Sequence, residues 1–160
     1  MRAKLVVTAG VILALVVVPS TSNAILGVSI KLGGGFIPDG SVPGAVLQAE
    51  VGPLCPFVEF FRKSGVTTVN TGAHLMALRL PAPLVSPYAG IGGGLSRVSS
   101  SGTSKTRVMI NAVVGTDLKL PGTMSFFGQA KYMYTLGADT GSLGIREVAV
   151  QAGLRLYLGL

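Results

Sequence analysis

The sequence has little charge, one cysteine, one histidine and no tryptophan. Charged residues make up only 12% of the 160 residues, whereas soluble domains carry about 25%. The lone Cys55 excludes an intramolecular disulfide. Cys55 and His74 stand on separate segments, so they predict no metal-ligand cluster. These shortages argue against a disulfide scaffold, a metal centre and a well-solvated surface.

Apolar helical runs are also missing after residue 24. The longest uncharged stretch there, Leu80–Ser96, contains three prolines and ends in glycines, a composition that disfavours a helix. Inside a lipid bilayer every backbone polar group must be paired, and only helices and closed barrels achieve this. An apolar chain without such helices therefore favours a barrel.

Residues 1–24 predict an export signal. Two basic residues precede the apolar run Leu5–Val18, and small residues occupy the −3 and −1 positions of a cleavage site after Ala24. The run is short for an uncleaved membrane anchor, which needs about 20 residues. We expect residues 25–160 to form one domain outside the cytoplasm.

The segment Arg146–Leu160 is the clearest structural signal. Apolar side chains occupy every second position, and charged, amide and glycine residues occupy the alternate positions. Because successive strand residues point to opposite faces, this pattern predicts one long β-strand with an apolar face. Its length exceeds the usual 5 or 6 residues and suits a transmembrane strand of about 9–11 residues.

Seven similar segments precede it, separated by turn signals such as Pro38-Asp39-Gly40 and Pro121-Gly122. The alternation slips near Leu78–Leu80, which predicts a β-bulge. The sequence predicts an all-β fold, an eight-stranded antiparallel up-and-down transmembrane barrel with both termini at one end. The strands are expected to begin near Ile25, Ala45, Phe57, Val69, Tyr88, Val108, Met124 and Arg146.

Most charges share the less apolar face of their strands. This arrangement places apolar side chains in lipid and charges inside, where an eight-stranded barrel has just enough room for side chains. A buried charge without a partner costs several kcal/mol, so the interior charges are predicted to form a structural ion-pair network rather than an ion path. The predicted members are Lys31, Glu50, Glu59, Arg107, Asp117, Lys119, Lys131, Glu147 and Arg155.

The export signal, the eight alternating segments, the phrase Pro87–Gly94 and the alternating last strand together resemble the small outer-membrane β-barrel superfamily, which includes OmpA/OmpX-like eight-stranded domains. The chain departs from that family in ending on Leu160 instead of an aromatic residue. The resemblance implies a place in the outer membrane of a Gram-negative bacterium, contact with its lipid and lipopolysaccharide, and insertion by the barrel-assembly machinery. It also implies a non-enzymatic structural, envelope-integrity or surface-contact role.

Two other functions stay open at this point. A soluble periplasmic lipocalin-like barrel would place the apolar faces inside, around a small apolar ligand. A lipid A-modifying barrel enzyme would need a catalytic histidine. Deacylases of this kind resemble one another in carrying a His-x-Ser element near their last strands. His74 lies mid-chain and is not part of such an element.

Neither a cofactor nor a nucleic acid is expected. The glycine clusters Gly33–Gly35 and Gly90–Gly94 open no helix and match no phosphate-binding motif. The formal net charge of +7 is spread along the chain instead of clustered, and an exported protein does not meet nucleic acid. We expect no enzyme activity.

Overall fold

Eight antiparallel strands close into one barrel in the computed structural model, which describes residues 27–137 and 145–158. The predicted signal at residues 1–24 and the C-terminal Leu160 lie outside the described residues. The strands are β1 (Val28–Ile37), β2 (Val42–Val51), β3 (Leu54–Lys63), β4 (Val66–Arg79), β5 (Val85–Ser100), β6 (Thr103–Lys119), β7 (Met124–Thr135) and β8 (Ile145–Leu158).

Each strand pairs with its neighbours in sequence, and β1 pairs with β8 from Val28↔Leu158 to Phe36↔Val150. Closure removes the free strand edges that would otherwise expose unpaired N–H and C=O groups. The start of β1 and the end of β8 lie at one end of the barrel, which we call the near end. The opposite end is the far end. The predicted fold class is confirmed.

The hairpins at the far end are tight. Ser64-Gly65 and Ser101-Gly102 are two-residue turns in which both residues have positive φ, at 49° and 79° in the first and 43° and 83° in the second. These angles belong to type I′ turns, whose twist matches that of the paired strands. The barrel therefore extends only two residues beyond these strand pairs.

The two faces of the strands differ sharply in chemistry. Outward side chains are large and apolar, with exposed fractions such as 63% for Leu32 and 62% for Ile91. Inward side chains include Lys31 and Glu59, both at 0% exposure. The described residues include no helix that is long and apolar enough to span a membrane. The apolar parity thus lies outside and the charged parity inside.

A β-bulge interrupts β4 between Met76 and Leu78, close to the slip that the sequence predicts. Before the bulge, His74 faces the interior, and regular alternation would turn Arg79 outward. The extra residue reverses this phase, so that Arg79 pairs with the buried Tyr88 and shares its face. The bulge therefore adds a cation to the interior.

Most strands begin earlier than predicted: β2, β3, β4 and β5 by three residues, β6 by five and β8 by one. The sequence placed the starts of β2, β3 and β5 after their prolines, but Pro43, Pro56 and Pro87 lie within the first three residues of those strands. Proline lacks only one backbone donor, and strand starts tolerate that loss. All three prolines face outward and are exposed.

Glycines permit close contact at the closure between β1 and β8. Gly33 and Gly153 are paired there, and a Cβ on Gly153 would lie 2.2 Å from the backbone oxygen of Leu32. Gly128 on β7 offers a contrast, because a Cβ there would meet nothing within 4 Å. A side chain at Gly153 would clash with the neighbouring backbone, whereas a side chain at Gly128 would not, so glycine is sterically required only at the first of these two positions.

We predict that Gly153→Ala lowers the free energy of unfolding by about 1–3 kcal/mol, because the backbones of β1 and β8 must move apart. Urea titration of the protein in detergent micelles measures this value. Gly128→Ala, the matched control, should change it by no more than about 0.5 kcal/mol. Equal losses in the two variants would contradict steric closure at Gly153.

Candidate functional site

The interior of the barrel holds the charged side chains in two clusters. The first lies toward the near end, around Arg155 of β8. Its Nη2 lies 2.9 Å from Oε1 of Glu50, its Nη1 donates to Oδ2 of Asp117, and its Nε donates to Oγ of Ser29 at 2.9 Å. One guanidinium thus joins side chains from β1, β2 and β6, a use that suits its fixed fork of donors.

Two more cations complete this near-end cluster. Nη2 of Arg79 lies 2.8 Å from Oε1 of Glu50, although the Arg79 side chain is 32% exposed. Nζ of Lys31 lies 3.7 Å from Oδ1 of Asp117 and 4.0 Å from the centre of the Tyr88 ring. The ring face adds a cation–π attraction to the ion pair of this fully buried lysine.

The second cluster lies toward the far end, around Glu59 of β3. Oε1 of Glu59 accepts hydrogen bonds from Nζ of Lys131 at 2.7 Å and from Nε2 of Gln151 at 2.8 Å, and Oε2 accepts one from Asn70 at 3.3 Å. Lys131 also lies over the Phe57 ring, 3.4 Å from its centre. Four strands therefore meet at one buried carboxylate.

A chain of neutral hydrogen bonds connects the clusters. The Tyr88 hydroxyl donates to Oε1 of Gln129 at 2.8 Å, and Nε2 of Gln129 donates to Oε1 of Gln151 at 2.5 Å. Gln151 in turn donates to Glu59, as described above. Buried networks of this kind stabilise a unique packing when their members are satisfied. The interior is thus crossed by side chains from one cluster to the other.

The structure brings six of the nine predicted network residues into these clusters: Lys31, Glu50, Glu59, Asp117, Lys131 and Arg155. Arg107 and Glu147 lie half-buried on the inward sides of β6 and β8, in register with Ser96 and Met133.

Lys119 departs from the expectation, since its side chain is exposed at the near end and Nζ donates to the backbone oxygen of Ala82 at 2.9 Å. The alternation of β6 correctly places Lys119 on the inward side of the strand. Lys119 is, however, the last residue of β6 and lies beyond the buried interior. Arg79 was missing from the expectation, and the predicted phase slip in β4 was the signal that could have found it.

The described residues contain no catalytic or metal-binding arrangement around the only histidine. His74 is fully buried and its ring stacks on Phe57, with centroids 4.5 Å apart. No hydroxyl or carboxylate of the described chain forms a hydrogen bond with it, whereas a hydrolytic base needs both a nucleophile and an orienting acid. No group of three or more metal-ligating side chains occurs in residues 27–137 and 145–158.

Solved structures show what this barrel is similar to. The crystal structure of Neisserial surface protein A shares 16% sequence identity, covers 81% of this chain and 94% of its own, and gives a TM-score of 0.55. The N-terminal β-barrel domain of Pseudomonas aeruginosa OprF also shares 16% identity, covers 83% of this chain and 98% of its own, and gives a TM-score of 0.56.

This is the fold of the small outer-membrane β-barrels. The likeness covers nearly the whole described chain and is one of architecture, since the identities are low. No protein-family model matches the sequence, and no curated protein sequence matches it significantly. The function is therefore inferred from the interior geometry of the barrel and from the chemistry of its two faces.

The Glu59–Lys131 pair tests the interior network. We predict that Glu59→Gln lowers the free energy of unfolding by about 3–5 kcal/mol, because it leaves Lys131 charged and buried without its counter-ion. The double variant Glu59→Gln/Lys131→Met should cost clearly less than the sum of the two single variants, because it leaves no unpaired charge. Urea titration in micelles measures all three.

The exposed Lys119 provides the control for this cycle. Lys119→Gln should change the free energy of unfolding by about 0.5 kcal/mol or less, as surface substitutions usually do. A double variant whose cost equals the full sum would show that Glu59 and Lys131 do not stabilise each other.

Proposed function

We propose that this protein is a non-enzymatic outer-membrane β-barrel with a structural, envelope-integrity or surface-contact role. The observation that carries the proposal is the band of apolar side chains around the outside of the barrel. On β8 the outward positions that follow Arg146 are Val148, Val150, Ala152, Leu154, Leu156 and Leu158. Every other strand also turns apolar side chains outward.

The height of this band suits a bilayer. Ten residue steps separate Val148 from Leu158, which corresponds to about 33 Å along the strand at ~3.3 Å per residue. Strands of such barrels tilt by about 35–45°, which reduces the vertical extent to about 25 Å, the height of the apolar band in outer-membrane barrels. Soluble proteins rarely expose a continuous apolar band of this size to water.

The ionic interior supports a structural role over transport. Glu59 and Arg155 reach across the interior to strands on several sides, and the Gln129–Gln151 bond links the two clusters. An eight-stranded barrel has an interior that side chains just fill. The interior side chains act as a polar core that holds the barrel together.

The short hairpins indicate a small contact surface. An even number of strands places both chain ends on one side, which faces the periplasm in barrels inserted from that compartment, so we assign the near end, where β1 starts and β8 ends, to the periplasm and the far end to the outside. Residues 136–144 make one of the four far-end connections, and the other three, the turns 38–41, 64–65 and 101–102, are brief. Surface contact through them would involve few residues, which favours an envelope role.

The proposal includes an export route and lipid partners. Residues 1–24 would direct export and be removed, and the barrel-assembly machinery would insert residues 25–160 into the outer membrane, where they would contact lipid and lipopolysaccharide. The other two candidate functions have less support. A lipocalin-like barrel needs an open apolar interior, whereas this interior is crossed by two charged clusters and filled by packed side chains. A lipid A-modifying enzyme needs an activated histidine, and His74 stacks on an aromatic ring instead.

Introduced tryptophans test residence in a bilayer, because the natural chain has none. We predict that Trp fluorescence in the variants Val150→Trp and Ile110→Trp is strongly quenched by lipids with brominated acyl chains after reconstitution into vesicles. Both side chains face outward within the apolar band.

A tryptophan outside the band provides the control. Asp39→Trp places the reporter in the exposed β1–β2 turn, where acyl-chain bromines should quench it weakly. A protein that stays in aqueous solution without detergent, with all three tryptophans unquenched, would overturn the proposed membrane location.

A further inference from the structure

One sector of the outer face departs from the apolar pattern. At the far end of β3–β6, the outermost outward row is Arg62, Thr67, Ser99 and Ser104, which are paired across the four strands. In the next outward row, Arg97 pairs with Thr106 on one side and with Val69 on the other. We call the six side chains Arg62, Thr67, Ser99, Ser104, Arg97 and Thr106 the arginine-hydroxyl patch.

The patch lies directly above the apolar band. The outward row below it contains Val58, Thr71, Leu95 and Val108, which are exposed and, apart from Thr71, apolar. Two residues along a strand correspond to about 7 Å. The Arg97 side chain therefore begins one row above the apolar side chains that lie at the depth of the acyl chains. In a bilayer this level is occupied by lipid headgroups.

The chemistry of the patch suits an oxyanion. Nε of Arg97 donates to Oγ of Ser104 at 2.8 Å, which holds the guanidinium on the β5–β6 hairpin and leaves its two Nη groups as the remaining donors. Guanidinium groups bind phosphate through two parallel N–H···O bonds, and hydroxyl groups add further donors. The outward faces of β3–β6 carry no aspartate or glutamate in the described strands, so nothing there repels an anion.

A shallow, open depression lies beside the patch, at the tips of two hairpins. It has a volume of about 330 Å³ and is lined by Thr67, Ser99, Ser104 and the tips of the hairpins that join β3 to β4 and β5 to β6. Its walls are hydroxyl groups and backbone, so a hydrated polar headgroup fits it better than an acyl chain does.

The opposite side of the barrel lacks these features. At the far end of β7, β8, β1 and β2, outward positions hold Tyr132, Tyr134, Phe36 and Pro43, with Arg146 as the one cation of that sector's described residues. Tyrosines at this level are typical of a membrane interface that makes no specific contact. The β3–β6 side therefore combines two outward arginines with four hydroxyl groups, whereas the opposite side has one arginine among aromatic side chains.

We propose that the arginine-hydroxyl patch binds the phosphate of a phosphorylated lipid headgroup in the outer leaflet. This inference rests on the proposed membrane location and adds a specific lipid contact to it. Arg97 binds the phosphate oxygens, Arg62 on β3 adds a second cation at this level of the barrel, and the four hydroxyl groups supply further donors to the headgroup. The site recognises a membrane-held phosphate because it stands one row above the acyl-chain level.

The test uses a tryptophan beside the patch. Val69→Trp places a reporter next to Arg97, and Val148→Trp places a matched reporter on the opposite side of the barrel. Both proteins are reconstituted into phosphatidylcholine vesicles, and quenching by brominated phosphatidic acid is compared with quenching by brominated phosphatidylcholine. The ratio gives the local preference for a phosphate monoester headgroup.

We expect a clear preference for phosphatidic acid in the Val69→Trp protein and almost none in the Val148→Trp protein. Added to the Val69→Trp protein, Arg62→Gln and Arg97→Gln should each reduce the preference by roughly five-fold, as expected for one cation near an anionic lipid surface. Arg146→Gln, which removes a cation from the same level on the other side, should leave it unchanged. Inorganic phosphate at the same bulk concentration as phosphatidic acid should not compete.

Several outcomes would overturn the site. These are equal preference at both reporter positions, an unchanged preference in the Arg62 and Arg97 variants, an equal loss in Arg146→Gln, or full competition by inorganic phosphate. Each of them leaves quenching by brominated phosphatidylcholine intact at both positions. Loss of that quenching at both tryptophans would instead show that the protein is not in the bilayer, which separates failure of the proposed function from failure of the site.

Discussion

Closure of the strands leaves each side chain only two environments, the surroundings and a narrow interior. Pairing β1 with β8 satisfies the backbone completely, and the two-residue period of a strand then assigns every residue to one side. Large apolar residues fill the outer side, so the charges must share the interior. The interior then requires that each carboxylate meets cations or amide donors, as Glu59 meets Lys131, Gln151 and Asn70.

This constraint explains why the sequence predicted the fold well. Alternation is strong in β6 and β8, and it gave the number of strands, their faces and the antiparallel order. The starts of β2, β3 and β5 were less accurate because proline was interpreted as a strand end. Pro56 shows the limit of that rule, since a proline near the start of a strand costs the ladder one donor and leaves the following pairing intact.

The interior network was predictable as a set of residues but not as a set of partners. Parity identifies the face of a residue, whereas its depth depends on where the strand ends, and for that reason Lys119 was expected inside and lies exposed at the near end. Arg79 was missed because a single extra residue in β4 reverses the parity behind it. The pairing of Glu50 with Arg155 spans 105 positions, and no local pattern specifies a contact between such distant residues.

The long sequence separation of these ion pairs also governs the order of assembly. Glu59 enters with β3, but its cation follows 72 positions later on β7, and Gln151 follows on β8. A hairpin inserted alone would carry this carboxylate into hydrocarbon without compensation, at a cost of several kcal/mol. In the proposed membrane location, the early strands would therefore remain in contact with water until the last two strands are added. A chain truncated before β7 would lack the counter-charge that makes entry into the bilayer favourable.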